Sequence, residues 1–257
     1  MSVIAVCNQK GGVGKTATTM NLADALTRAG RRVLVIDADP QGNATKHLIA
    51  DELEADALTL LDVLSAVAED AEANRGVLAE AIRPASPAWG GVRVVPAERK
   101  LAGIDGGGVG REFWLRDAMD GALDDVDEVL IDCPPALGAL TLTALGAADK
   151  VLIVTEARDD SVEGVDELLR TIGYVQRSNR DLSVAGIVIN KWQDREDPTY
   201  WRRALREARP DLLIDHDLPN REIVAKAATN CVPVPRSEGR DYVAALDALA
   251  ASLISAE

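Results

Sequence analysis

Residues 8–19 read NQKGGVGKTATT, with the apolar run VIAVC before them and a helical pattern after them. Gly11, Gly12 and Gly14 let a backbone turn tightly and present successive N–H groups, from Val13 through Ala17, to phosphate oxygens. A helix beginning near Lys15 adds the positive end of its dipole. Lys15 supplies a point charge to β- and γ-phosphates, and the Thr16 hydroxyl can ligate Mg2+. The common phosphate-loop spacing G-x-x-x-x-G-K-[ST] is met by Gly14-Lys15-Thr16, but its first glycine falls on Gln9. The loop is therefore a variant, with Lys10-Gly11-Gly12 in front. A plain glycine turn at a helix start is the bland alternative; strand, loop, Lys-Thr and helix in that order speak against it.

Three carboxylates sit where a sheet would deliver them. Residues 32–36 run into Asp37-Ala38-Asp39-Pro40-Gln41-Gly42-Asn43. Carboxylates at i and i+2 of a strand end point the same way, and Pro40 and Gly42 stop the strand sharply. Residues 129–135 read VLIDCPP, an apolar strand ending in Asp132, which would hold Mg2+ through water. A further strand ends at Asn190-Lys191-Trp192. The Asn190 amide can pair with the donor and acceptor edge of a base, or simply end the strand in a turn.

The elements that must position these groups follow from the apolar pattern. Strands are expected at 3–7, 32–37, 92–95, 128–132, 150–154 and 184–190; their near-continuous apolar runs suit strands covered on both faces. Helical patterns fall at 15–29, 59–70, 75–82, 111–123, 138–147, 161–178, 198–208 and 238–254. Such alternation predicts an α/β fold: a mostly parallel twisted sheet flanked by helices on both faces, in a single domain over 1–257. Right-handed crossovers would gather the C-terminal strand ends, with Asp37, Asp132 and the phosphate loop, on one edge. Residues 103–110 (GIDGGGVG) read as a loop.

The chain has 257 residues and a formal charge of −14, with 47% hydrophobic and 27% charged residues. These values fit a globular protein and argue against one coated with basic charge, although a local basic patch survives a negative total. No signal-peptide pattern or membrane-length apolar run is evident. Cys7, Cys133 and Cys231 form no CxxC pair or zinc spacing, so a reducing cytoplasm is the expected compartment.

The spelling K-G-G-V-G-K-T resembles the deviant Walker A loop of the ParA/MinD family of ATPases, and Lys10 matches that family's signature lysine. The segments D-A-D-P-Q-G-N, 96–102 (PAERKLA), 128–135, 184–191 and 218–230 extend the resemblance over most of the chain. The resemblance implies ATP and Mg2+ as cofactors and a homodimer that sandwiches nucleotide, with Lys10 reaching the partner's phosphates. It implies that Asp39 orients the attacking water, that Asp37 supports the Mg2+ shell, and that the loop after Asp132 senses the γ-phosphate. Asn190 and Pro219 would frame the adenine. Ala17 departs from the family's frequent second hydroxyl at that position, which leaves only its N–H to the α-phosphate. Nitrogenase iron proteins share the loop and bridge an iron–sulfur cluster with two cysteines per subunit. With no second cysteine expected at a strand end beside Cys133, a cluster is not expected.

The branch of the family is read from the remaining residues. Only seven residues or so precede the loop, so no N-terminal helix-turn-helix domain is expected. The final helix carries Tyr242, Val243, Leu246, Leu249, Leu253 and Ile254 on one side, but no basic residue after Arg240. Membrane-docking helices want Lys or Arg on the polar face, so a core-packed helix and no membrane partner are expected. In 192–209 a helix would put Arg202, Arg206 and Arg209 on one stripe, with Arg195 and Arg203 nearby, suited to sequence-independent phosphate contacts. A solvated face balanced by Glu196, Asp197 and Glu207 is the bland alternative. Arg221 and Lys226 form a second candidate patch, in a segment resembling the family's DNA-contact loop. The resulting expectation is a plasmid or chromosome partition ATPase. It would dimerise on ATP, bind DNA non-specifically on the nucleoid, and be stimulated by a centromere-binding partner. The alternative is a MinD-like or cargo-positioning switch that does not use DNA.

Overall fold

The computed structural model describes residues 1–51, 53–54, 56–106 and 110–255. Seven strands are present among the described residues: β1 (Ser2–Cys7), β2 (Val33–Asp37), β3 (Arg83–Pro84), β4 (Arg93–Val95), β5 (Glu128–Asp132), β6 (Lys150–Thr155) and β7 (Ser183–Ile189). They form one sheet in the order β3-β4-β2-β5-β1-β6-β7. All neighbours are parallel except β3, which pairs antiparallel with β4 at the edge. The α/β expectation holds, and all six expected strands are present; the two-residue β3 carries no apolar run and was not legible.

The ten helices are α1 (Lys15–Arg28), α2 (Asn43–Ile49), α3 (Leu60–Glu69), α4 (Leu78–Ala81), α5 (Trp114–Met119), α6 (Ala139–Ala147), α7 (Ser161–Val175), α8 (Glu196–Ala208), α9 (Glu222–Thr229) and α10 (Arg240–Ser255), counted among the described residues. Two expected helices are shorter than their patterns. Of 75–82 only α4 is helical, and 111–123 splits into a 3-10 turn, Arg111–Phe113, and the short α5. The loop expected at 103–110 is corrected in part: Arg99–Gly106 is a 3-10 helix, and 107–109 lie outside the described residues. α2 and α9 add helix where turn or loop was expected.

Alternation along each strand divides the core into two layers. Val3, Ala5 and Cys7 of β1 face a layer built with α3, α5, α6 and α7, whereas Ile4 and Val6 face one built with α1, α2 and α10. Tyr242, Val243, Leu246, Leu249 and Leu253 of α10 are all buried in that second layer, so the final helix packs into the core as expected. Among the described residues no helix is long and apolar enough to cross a membrane.

The order of the central strands positions the site. The chain leaves β1 for β2, yet β5 returns to lie between them. The register pairs Val6 with Asp132 and Asp132 with Asp37. The ends of β1, β5 and β2 therefore arrive side by side, carrying the phosphate loop and two of the three carboxylates.

Candidate nucleotide site

The loop between β1 and α1 is held from both ends. Asn8 donates from Nδ2 to the Val154 carbonyl at 2.5 Å and accepts the Lys10 N–H at 2.9 Å. Gly12 and Gly14 sit at φ +80° and +86°, a left-handed conformation that glycine adopts without strain. Gly14 is the N-cap of α1, and the Thr18 N–H is the first in the helix to find a carbonyl, that of Gly14 at 2.9 Å. The N–H groups of Lys15, Thr16 and Ala17 precede that bond. They belong to the orphan donors of a helix start, the groups that bind anions at helix N-termini.

Lys15 is buried, 7% exposed, and makes no ion pair among the described residues. A buried ammonium with no direct ion pair, whose charge also acts on the nearby Asp132 carboxyl, favours an added anion. Thr16 donates its hydroxyl to Asp132 Oδ2 at 2.7 Å, and Thr19 donates to Asp132 Oδ1 at 3.2 Å. Thr19 is a residue that motif spacing did not single out. Asp37 accepts the Thr45 N–H and hydroxyl on Oδ2, both at 2.7 Å, and the Asp39 N–H on Oδ1 at 3.2 Å. Asp37 thus fixes the turn that carries Asp39, and Asp39 in turn accepts the Gln41 N–H at 2.9 Å.

Asp37 and Asp132 are both completely buried, 0% exposed. Burial, and for Asp132 the neighbouring Asp37 charge, push Asp132 up to about 7. Burial likewise lifts Asp37 to about 6 against the opposing pull of its Thr45 hydrogen bonds. Two adjacent buried carboxylates favour either a proton or a cation. Among the described residues no three His, Cys, Asp or Glu side chains converge as ligands. Mg2+ retains several waters and takes few protein ligands beside phosphate oxygens, so Thr16 and Asp132, with Asp37 beside them, are the residues that would hold it. The residues present fit both phosphate and Mg2+.

Residues 1–184 match the AAA-domain family. The chromosome partitioning protein ParA of Myxococcus xanthus is 39% identical over 197 residues, 75% of this chain and 66% of that protein. The sporulation initiation inhibitor Soj of Bacillus subtilis is 37% identical over 191 residues, 73% of this chain and 71% of its own. The chain belongs to the ParA-type ATPases. The matched stretch spans about two thirds of these relatives' own length. The fold agrees. Cyanothece apo McdA superposes with a TM-score of 0.86 at 23% identity, covering 98% of this chain and 99% of that one. A cobyrinic acid a,c-diamide synthase of Mycobacterium smegmatis, solved with ADP and magnesium, superposes with a TM-score of 0.80 at 30% identity, covering 99% and 94%. ATP with Mg2+ is the cofactor pair this ParA-type site fits.

Asn190, Pro219 and Lys10 are held by contacts that the sequence did not disclose. Asn190 reads from the sequence either as an adenine contact or as a turn residue that ends its strand. Its Nδ2 donates to the Val13 carbonyl at 2.8 Å, and a Cβ at Gly14 would lie 2.2 Å from that nitrogen. One of the amide's two N–H donors is thus engaged by the phosphate loop. Pro219 is half-buried and pairs through its backbone with Trp192, beside the end of β7. Lys10 holds Asp160, at the start of α7, with Nζ 2.8 and 2.6 Å from its two oxygens. Both side chains are about half exposed. The cysteine expectation is corrected: Cys7 ends β1 next to Cys133, with Sγ atoms 3.2 Å apart. Both are buried in the same core layer.

The basic candidates carry acidic partners. Arg202 pairs with Asp217 at 2.6 Å, Arg206 with Asp215 at 2.5 Å, and Arg203 more loosely with Glu207 at 3.8 Å. Arg209 pairs with Asp166 at 2.7 Å. In the second patch Arg221, the N-cap of α9, holds Asp241, and Lys226 lies 3.9 Å from Glu238. Arg195 caps α8 and has no ion pair among the described residues. The stripe on α8 exists, but its counter-charges come mostly from outside the helix rather than from Glu196 and Asp197.

Proposed function

We propose that this chain is a nucleotide-switched partition ATPase, acting as one domain. ATP would bring two copies face to face, the dimer would bind DNA without sequence preference, and hydrolysis would separate it. The observation that carries the reading is the placement of Lys10. Its ammonium stands at the outer rim of the loop, half exposed and paired with Asp160, while Lys15 alone serves the loop's interior. An exposed ion pair of this kind is worth little and exchanges readily, so Lys10 is available to a facing phosphate.

Within one subunit the residues divide the work. The loop N–H groups and Lys15 bind phosphate, and Thr16 and Asp132 hold Mg2+, which supplies charge neutralisation to phosphoryl transfer. Asp39 is fixed by its hydrogen bonds to Asp37 and Gln41, with its carboxylate available to orient a water. Dependence on Mg2+ and acceleration by a centromere-binding partner belong to this reading, as does residence on the nucleoid in the cytoplasm.

A specific observation favours a second reading, a positioning switch that does not use DNA. Arg202 of the candidate stripe is neutralised by Asp217 in a pair that is largely buried, on a protein of charge −14. Retention on DNA with MgATP, MgADP and no nucleotide separates the two. The partition reading expects retention with MgATP only, falling steeply as salt rises from about 50 mM because each phosphate contact releases counterion. Absence of retention at about 50 mM salt with MgATP, where non-specific contacts are strongest, sinks it in favour of the second.

A further inference from the structure

Lys191 follows β7 in a left-handed conformation, φ +54°, one of three non-glycine residues with positive φ among the described ones. A long side chain seldom adopts that conformation unless its surroundings enforce it. Here they do. The preceding Asn190 is anchored by its N–H to the Thr155 carbonyl at 2.7 Å and by its amide to the Val13 carbonyl at 2.8 Å. The turn then sends the Lys191 ammonium back across the phosphate loop, to the Gly12 carbonyl at 2.5 Å. Its other partner is Glu156 Oε1 at 2.8 Å. Glu156 is itself buried, 7% exposed, at the end of β6, and its second oxygen holds Arg158.

The consequence lies in the peptide plane. A trans peptide points its C=O and the following N–H in opposite directions, and no peptide bond in the described chain is cis. Fixing the Gly12 carbonyl toward Lys191 turns the Val13 N–H the other way, away from Lys191. Fixing the Val13 carbonyl on Asn190 does the same for the Gly14 N–H. Two successive donors are thereby aimed before any anion arrives. Glycine on one side of each of those two planes leaves it free to rotate, so both need holding.

We infer that Lys191, braced by Glu156, is a positioning residue for phosphate: it orders the Gly12–Val13 peptide plane so that the loop meets the nucleotide preorganised. The inference rests on the phosphate-loop reading of this site. Because Lys191 acts on the loop's backbone and not on the ligand, the conserved-charge replacement should serve nearly as well as lysine, while a neutral side chain of equal length should not.

The test is calorimetric titration of MgADP into the full chain and its variants, with thermal unfolding of each without nucleotide. Failure of the wild type to bind MgADP would sink the phosphate-loop reading itself. With wild-type binding established, Lys191→Met should weaken MgADP about tenfold, the loss of one charge-assisted hydrogen bond. Its nucleotide-free midpoint should stay within about 2 °C of wild type, since the ammonium is partly exposed. Lys191→Arg should recover most of the affinity. Glu156→Gln should weaken binding by less, and the double variant should bind no worse than Lys191→Met alone, because both remove one device. Lys191→Met binding within about twofold of wild type, Lys191→Arg giving no recovery, or additive losses in the double variant would each overturn the inference.

Discussion

Asp37 and Asp132 stand opposite each other in register on neighbouring parallel strands, both without solvent exposure. Their adjacency exists only because β5 is threaded between β1 and β2. Two carboxylates so placed make the nucleotide-free protein sensitive to pH. Both have folded-state pKa values raised above the ordinary value near 4, to about 6 for Asp37 and about 7 for Asp132, chiefly by burial. The folded chain therefore binds more protons than the unfolded one between those limits, and this contribution is full below about pH 4 and lost as pH rises through about 7. Asp132→Asn should flatten that slope. In denaturant melts without nucleotide it should gain on wild type as pH goes from about 4.5 to about 8. Parallel pH profiles would show that the pair does not share the buried charge described here.

Lys15→Ala removes the one buried ammonium inside the loop. Loss of a charge-assisted contact to phosphate should weaken MgATP at least about a hundredfold, ~2.7 kcal/mol. The fold should persist, since Lys15 makes no ion pair that its removal would orphan among the described residues. Calorimetry and circular dichroism on the same sample check both halves.

Gly14→Ala should damage both stability and binding. The position has φ +86°, and a Cβ there would meet the Asn190 amide at 2.2 Å. Strain and displacement of that clamp should cost about 2 kcal/mol in denaturant melts and weaken nucleotide binding in the same variant. The same change at Gly103, where a Cβ meets nothing within 4 Å and φ is not left-handed, should be nearly silent and serves as the control.

What the sequence reveals of this site is what lies close along the chain. The phosphate loop, the Asp37–Asp39 turn and the strand ending in Asp132 are contiguous, and apolar runs with punctuating Gly and Pro expose them. What it hides depends on which strands are neighbours. Cys7 and Cys133 touch across a separation of 126 residues because β1 pairs with β5. Lys191 reaches Gly12 across 179 residues, an arrangement no spacing rule contains. The arginine stripe on α8 follows from helical periodicity, but Asp215, Asp217 and Asp166, which neutralise it, come from a later loop and from α7. α2 and α9 were missed for a local reason: at seven and eight residues they are too short for apolar periodicity to emerge beside their turn residues.

The central claim is that ATP, read through Lys10, makes the dimer. Light scattering after size exclusion with MgATP tests it most directly, on wild type, Lys10→Ala and Asp39→Ala. The account predicts a dimer for wild type, a monomer that still binds ATP for Lys10→Ala, and a persistent dimer with slowed hydrolysis for Asp39→Ala. A wild type that stays monomeric with MgATP, or a Lys10→Ala chain that dimerises like wild type, would contradict it.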